Sequence, residues 1–275
     1  MDHASITHEF ERLSATPDSE LDLARGALLI AATEYPDLDI EHELGLLDAL
    51  SGAASARLEG AEDALRAANA LSQYLFDEVG LRGNREDYYD PGNSYLNDVL
   101  HRRLGIPITL SLVYIEVGRR LGLPLVGVGM PGHFLVKHQG VDDLFIDPYH
   151  GGILLSEKEC AQRLREVQGQ DLLWDETYLG PTTNLDFLTR LLGNLKGAYA
   201  RRQEFSRVLP VLDLLVALRP DVIEERRDRG LLHYQLKRFD EALEDLRHYA
   251  ASEAAPSDIS EVNKVITTLE GLTGS

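Results

Sequence analysis

Between His133 and Asp147 two apolar triplets, Phe134-Leu-Val136 and Leu144-Phe-Ile146, are each flanked by ionisable residues, and this stretch limits the fold more tightly than any other. His133–Lys137 (HFLVK) and Asp143–Asp147 (DLFID) have strand composition, and the polar segment between them carries Gly140 near its centre, so the pattern predicts an antiparallel hairpin. Symmetric pairing about Gly140 sets His133 opposite Asp147, Leu135 opposite Phe145 and Lys137 opposite Asp143. Phe134, Val136, Leu144 and Ile146 then share one apolar face, and His133, Lys137, Asp143 and Asp147 share the other. A slip of one residue would drive the ionisable side chains into the core.

In that register the Cβ atoms of His133 and Asp147 lie roughly 5 Å apart, within reach of a hydrogen bond from imidazole to carboxylate. Such a bond fixes the tautomer and leaves the second ring nitrogen free to take a proton from a nucleophile. The same pattern also fits an isolated surface ion pair. A nucleophile would come from the helix predicted over Ile106–Leu121, with Pro107 in its first turn, where the hydroxyls are Thr109 and Ser111. Structural roles suit both: Thr109 as a helix cap, and Ser111 bonding its own backbone one turn back. Around this region Asp90, Asn93 and Asn97 are candidate cleft residues, Asn93 also serves as a cap for a helix over 94–103, and Tyr88, Tyr89 and Tyr149 can plug the imidazole.

Gly105-Ile106-Pro107 and Leu121-Gly122-Leu123-Pro124 bracket the helix, Gly132-His133 opens the first strand, and Asp147-Pro148 closes the hairpin. This segment resembles the transglutaminase-like superfamily, in which a buried helix carries a Cys, the next strand a His and the following one an Asp. The whole chain further resembles the Sir-B type invasion-regulator family, on Tyr35-Pro-Asp-Leu38, Asn93-Ser-Tyr-Leu-Asn97, Gly105-Ile-Pro-Ile108, Pro131-Gly-His-Phe134 and Gly151-Gly152. The resemblance implies a papain-like α+β core with a small antiparallel sheet and a C-terminal helical repeat. It also implies a cysteine on or beside Pro107, with Ser111 about one turn further on. The only cysteine is Cys160, on a helix after the hairpin, where it reads as a small buried residue rather than a displaced nucleophile. Acyl transfer through a thioester is therefore not expected.

Upstream the apolar spacing predicts helices over about 18–32, with Asp18 or Ser19 as cap, then 40–58 and 61–79. Downstream, Phe205 and Phe239, Val208 and Ala242, and Leu212 and Leu246 recur at the 34-residue tetratricopeptide period, and 258–269 reads as a capping helix after Pro256. The expected division is a transglutaminase-like domain over 1–180, helical over 1–80 with its core at 81–155, and an all-α repeat region over 181–275. Such a region presents a concave surface for a protein or peptide partner, or braces the first domain.

A net charge of −19 opposes nucleic acid and anionic membranes as partners. With one cysteine, no export signal and no membrane-length apolar run, a cytoplasmic location is expected. A metal reading of His133, His138, Asp147 and His150 is set aside because the hairpin puts His138 in its loop, so no metal and no cofactor are assigned. Oligomeric state is left open. Two functions follow: a transglutaminase-like protein without its cysteine, regulatory and acting through protein–protein interaction; or a serine amide hydrolase or acyltransferase using Ser111, or Thr109, with His133 and Asp147.

Overall fold

The computed structural model describes residues 1–61, 63–169, 172–252 and 258–273. It divides into two compact units, Pro17–Leu191 and Met1–Thr16 with Leu192–Ser275. Helix α1 (His3–Ala15), capped by Asp2, therefore belongs with the C-terminal helices, a placement that chain order does not convey.

The larger unit opens with a short turn, Asp18–Glu20, and α2 (Leu23–Ala32), whose cap is Asp22 rather than Asp18 or Ser19. The Asp22 carboxylate accepts from the Arg25 N–H at 3.0 Å, which leaves nine of the ten α2 residues free to be buried. Helix α3 (Ile40–Leu58) follows the expected span, but the predicted 61–79 helix becomes α4 (Ala64–Ser72) and a π-helical turn, Gln73–Glu78. Through this wider turn Tyr74, Leu75 and Phe76 are all buried. Strand β1 (Arg82–Gly83) pairs in parallel with β2 (Leu104–Gly105), on either side of α5 (Leu96–Arg102). Tyr95, not Asn93, is the N-cap of α5.

Helix α6 (Pro107–Arg120) is the unit's axis, and every residue from Pro107 to Gly118 is buried. A helix so largely apolar, with Thr109, Ser111 and Glu116 its buried polar residues besides Tyr114, is enclosed on every side. Its one buried phenol is satisfied, because Tyr114 donates to the Ala68 carbonyl at 2.9 Å and lies 3.3 Å from the Ser72 hydroxyl. Ser72 in turn donates to the Gly152 carbonyl at 3.0 Å. These bonds tie α4 and α6 to the turn that ends the hairpin.

Five antiparallel strands form the sheet in the order β6-β5-β4-β3-β7: β3 (Leu125–Val128), β4 (Leu135–His138), β5 (Phe145–Asp147), β6 (Ile153–Leu155) and β7 (Pro181–Thr182). The hairpin exists, but its register differs by two residues from the symmetric one: Val136 pairs with Ile146 and Lys137 with Phe145. His133 therefore lies before the strand rather than opposite Asp147, and His138 ends β4 instead of standing in the loop. A shift of two preserves which face each side chain takes, so the expected partition survives. What changes is the environment of the polar face. Leu135 and Phe145, on the side of His133 and Asp147, join Val128, Met130, Leu155 and Cys160 in a hydrophobic cluster against α7 (Glu157–Gln168). On the opposite face Phe134 meets Phe187 at 4.7 Å between centroids, and α6 approaches so closely that a Cβ at Gly118 would stand 2.3 Å from Leu125.

In the other unit the 34-residue period marks helix starts: Phe205 begins α9 (Phe205–Leu218) and Phe239 begins α11 (Phe239–Ala250). Each is preceded by its partner, α8 (Asn184–Arg201), of which the part from Leu192 falls in this unit, or α10 (Ile223–Gln235), and α12 (Ile259–Thr273) follows as the capping helix. Pro256 lies outside the described residues. Gly230 lets α10 close on α11, since a Cβ there would sit 2.9 Å from Leu246. Arg229 forks onto the buried Asp245 with two contacts of 2.7 Å and reaches Asp213 at 3.0 Å, linking α9, α10 and α11. Ile6 and Phe10 of α1 are buried in this unit, which supplies apolar cover that two repeats alone lack.

Gly151 and Gly152 both have positive φ, 77° and 71°, but only at Gly152 would a Cβ collide, 2.4 Å from the Ser72 hydroxyl. Gly151→Ala should cost about 1–2 kcal/mol for the left-handed backbone alone. Gly152→Ala should cost about 1–3 kcal/mol more for overpacking, a difference that urea denaturation of the two variants measures.

Candidate functional site

The hairpin's end, the turn after it and α7 converge on one carboxylate. Asp147 is the last residue of β5, and Pro148–His150 forms a 3-10 turn that the Asp147 side chain caps, accepting from the His150 N–H at 3.3 Å. The turn brings the His150 ring back, so that Nδ1 lies 2.7 Å from Asp147 Oδ2. His133 approaches the other oxygen, with Nε2 3.0 Å from Oδ1. That separation is ion-pair range, yet the ring is not aligned for a hydrogen bond and Nε2 has no hydrogen-bond partner. Arg163 reaches in from α7, its Nε 3.2 Å from Oδ2 and likewise outside hydrogen-bond alignment.

Asp147 is fully buried, and burial alone would push its pKa up. The close approach of His133 and the hydrogen bond from His150 outweigh that and hold it well below the ordinary carboxylate range.

An aromatic ring flanks the imidazoles. His133 lies 6.2 Å from the Tyr149 ring and 5.7 Å from that of His150, and Tyr149 stands edge-on to Tyr88 at 6.1 Å. Tyr149 donates to the Asn84 carbonyl at 3.3 Å, and its ring fills the space that glycine leaves at Gly83. Of the three tyrosines, Tyr149 is the one against His133, while Tyr88 and Tyr89 are exposed. Behind the site Arg190 donates to the carbonyls of His133, at 2.8 Å, and Met130, fixing the backbone that delivers the imidazole.

Asp90 and Asn93 shape the entering loop. Asn93 donates to the carbonyls of Asp87 (2.7 Å) and Tyr88 (3.2 Å), and Asp90 accepts from Gly92 N and pairs with Arg102. Asn97 is buried, its Oδ1 without a hydrogen-bond partner. Thr109 closes the first turn of α6: its hydroxyl accepts from Ile106 N at 3.0 Å and donates to the Asn93 carbonyl at 2.7 Å. Ser111 is fully buried, and its Oγ has no hydrogen-bond partner, His133 included. The structure thus joins His133 to Asp147, leaves Ser111 unbonded to either, and adds His150 and Arg163. His150 stands three residues after Asp147 in an Asp-Pro turn, a signal the sequence does carry. Arg163 has none.

Cys160 is fully buried in the cluster under the sheet. Burial, reinforced by the carboxylates of Asp143 and Asp147, pushes its thiol up to about 12. A thiol held protonated at neutral pH is neither nucleophile nor ready ligand.

A His–Asp pair at the end of an antiparallel hairpin, with a buried axial helix and C-terminal helical repeats, defines a transglutaminase-like class of protein. The transglutaminase-like superfamily profile matches residues 41–193, and a tetratricopeptide-repeat profile matches 195–267. The chain belongs to the UPF0162 family within that superfamily. A UPF0162 protein of Xylella fastidiosa (strain Temecula1) is 42% identical over 249 residues, 87% of each chain. One from Vibrio cholerae is 29% identical over 240 residues, 86% of this chain and 88% of its own. F-box only protein 21 of Mus musculus is 34% identical over 180 residues, 61% of this chain and 28% of its own. No solved structure matches.

A carboxylate with a depressed pKa stabilises the fold above the ordinary carboxylate range and loses that contribution as pH falls through its folded value. Asp147→Asn should accordingly cost about 3–5 kcal/mol at neutral pH, by removing the carboxylate that the Arg163 guanidinium and the two imidazoles face. Its deficit against the wild type should shrink as pH drops below about 4, which denaturation curves across pH 2–7 measure.

Proposed function

We propose that this chain is an interaction protein built on a transglutaminase-like fold, in which His133 and Asp147 persist as a polar site without an acyl-transfer nucleophile. The observation that carries this reading is the state of the two helix hydroxyls. Thr109 is committed to closing its own helix, and Ser111 is enclosed without a bond to the imidazole. The topology supports it too. Asp147 takes the face of the sheet covered by α7, where Arg163 meets it, whereas α6 packs on the opposite face at Leu125. Cys160 is also unsuited, since its thiol is buried and protonated. Pro107 begins α6, where the superfamily's cysteine is expected, and it carries neither a nucleophile nor an N–H.

On this reading the tetratricopeptide helices supply the contact with a protein or peptide partner, as such repeats generally do. The regulatory role implied by the Sir-B type resemblance, and a cytoplasmic setting, belong to the same proposal. No helix among the described residues is long and apolar enough to cross a membrane.

The second reading, a serine hydrolase or acyltransferase of Ser111, His133 and Asp147, draws on one observation: a buried hydroxyl without a partner calls for a reason. A fluorophosphonate probe separates the two. The interaction reading expects no labelling of the full chain, and labelling lost in Ser111→Ala overturns it. Leu231, exposed on α10, tests the contact surface. Leu231→Asp should cut recovery of a co-purifying partner by at least about fivefold at unchanged melting temperature, a loss of about 1 kcal/mol. Undiminished recovery for this and neighbouring exposed positions would count against the repeats as the binding surface.

A further inference from the structure

We propose that His133, Asp147 and His150 form a binding site for one divalent transition-metal ion of the Zn2+ class. One ligand atom from each of the three residues lies within 4.8 Å of the other two. Two imidazoles and a carboxylate are a donor set that zinc and its neighbours accept.

Orientation argues further than proximity. Two ligands that share an ion at about 2.0–2.2 Å stand roughly 3.0–3.5 Å apart, and each is aimed at the ion rather than at the other. His133 Nε2 and Asp147 Oδ1 are separated by 3.0 Å without hydrogen-bond alignment. Moreover, Nε2 has no other hydrogen-bond partner although the His133 side chain is only 3% exposed. An unsatisfied buried polar atom costs about 1–3 kcal/mol, so some partner is expected there. A shared ion would be such a partner.

Access and coordination number agree with this. The His150 side chain is 24% exposed, which gives an ion a route from solvent. Three protein ligands leave at least one position open for water or a substrate oxygen, as in zinc sites that do chemistry rather than brace a fold. His138 takes no part, because its Nδ1 accepts from the Gly140 N–H at the hairpin's other end. Two contacts oppose the ion: the 2.7 Å hydrogen bond between His150 Nδ1 and Asp147 Oδ2, which the ion must replace, and one cation. The Arg163 guanidinium lies against Asp147 Oδ2, so ion binding must turn it outward or be weakened by its charge. Removing that charge should tighten binding. The site is independent of the interaction reading above and stands or falls on metal binding alone.

The test uses the full chain, free of any histidine tag and stripped with a chelator, titrated with ZnCl2 by calorimetry and with CoCl2 by visible absorption. The expected result is about one equivalent bound per chain, with Co2+ giving the d–d bands of a nitrogen–oxygen site. His150→Gln keeps a hydrogen-bonding side chain beside Asp147 but offers a poor ligand. It should weaken binding more than about tenfold, at least the loss that follows removal of a residue merely supporting a ligand. Arg163→Met should tighten binding, and His138→Ala should leave it unchanged. Absence of stoichiometric binding by the wild type, or equal affinity in a folded His150→Gln, overturns the site.

Discussion

The arrangement of the larger unit depends on a carboxylate that has no access to water. Asp147 is wholly enclosed, and an enclosed charge persists only when its surroundings compensate it. Compensation comes from three places in the chain: His133 ahead of β4, His150 from the turn after β5, and Arg163 from α7. Each holds an element in position. The turn returns the chain toward β6, α7 closes over the sheet, and the imidazole sits at the sheet's end instead of in solvent. Tyr149 donates to the Asn84 carbonyl and the Asn84 amide donates to Asn93, which ties the 84–93 loop to the turn after β5.

The axial helix is organised by other means. Its hydroxyls serve packing and capping, and its phenol is bonded to α4. Helix and carboxylate take opposite faces of the sheet, and the Ser111 hydroxyl makes no hydrogen bond to His133 or Asp147. Such a fold can keep the positions of an acyl-transfer site while using them to bind rather than to react. A fold of this kind does not by itself dictate an activity.

Much of this was readable in the residues because the governing signals are local. Period-two alternation sorted the hairpin's faces correctly, although it could not fix the register: a shift of two leaves the pattern unchanged. The expected hydrophilic face proved to be a second core, because a helix placed much later in the chain lies over it. The 34-residue period located α9 and α11 from their first residues. Strands β3, β6 and β7, each no longer than four residues, carry too little pattern to stand out. Arg163 was invisible for a related reason. Only the docking of α7 turns a surface-type arginine toward Asp147, and no spacing within its own helix announces that contact. His150 is legible as a member of the set His133, His138, Asp147 and His150, of which the Asp-Pro turn pairs it with Asp147.

The proposed function divides labour between a fixed polar centre in one unit and a contact surface in the other. Whether Asp147 is in fact the centre can be decided by a double-mutant cycle on unfolding free energy in chelator-containing buffer at neutral pH, using His133→Gln, Asp147→Asn and the pair. A coupling energy of about 1–3 kcal/mol is predicted for side chains that depend on one another inside the fold. Additive effects, with coupling near zero, would show that the imidazole and the carboxylate are neighbours without being partners, and would contradict the arrangement described above.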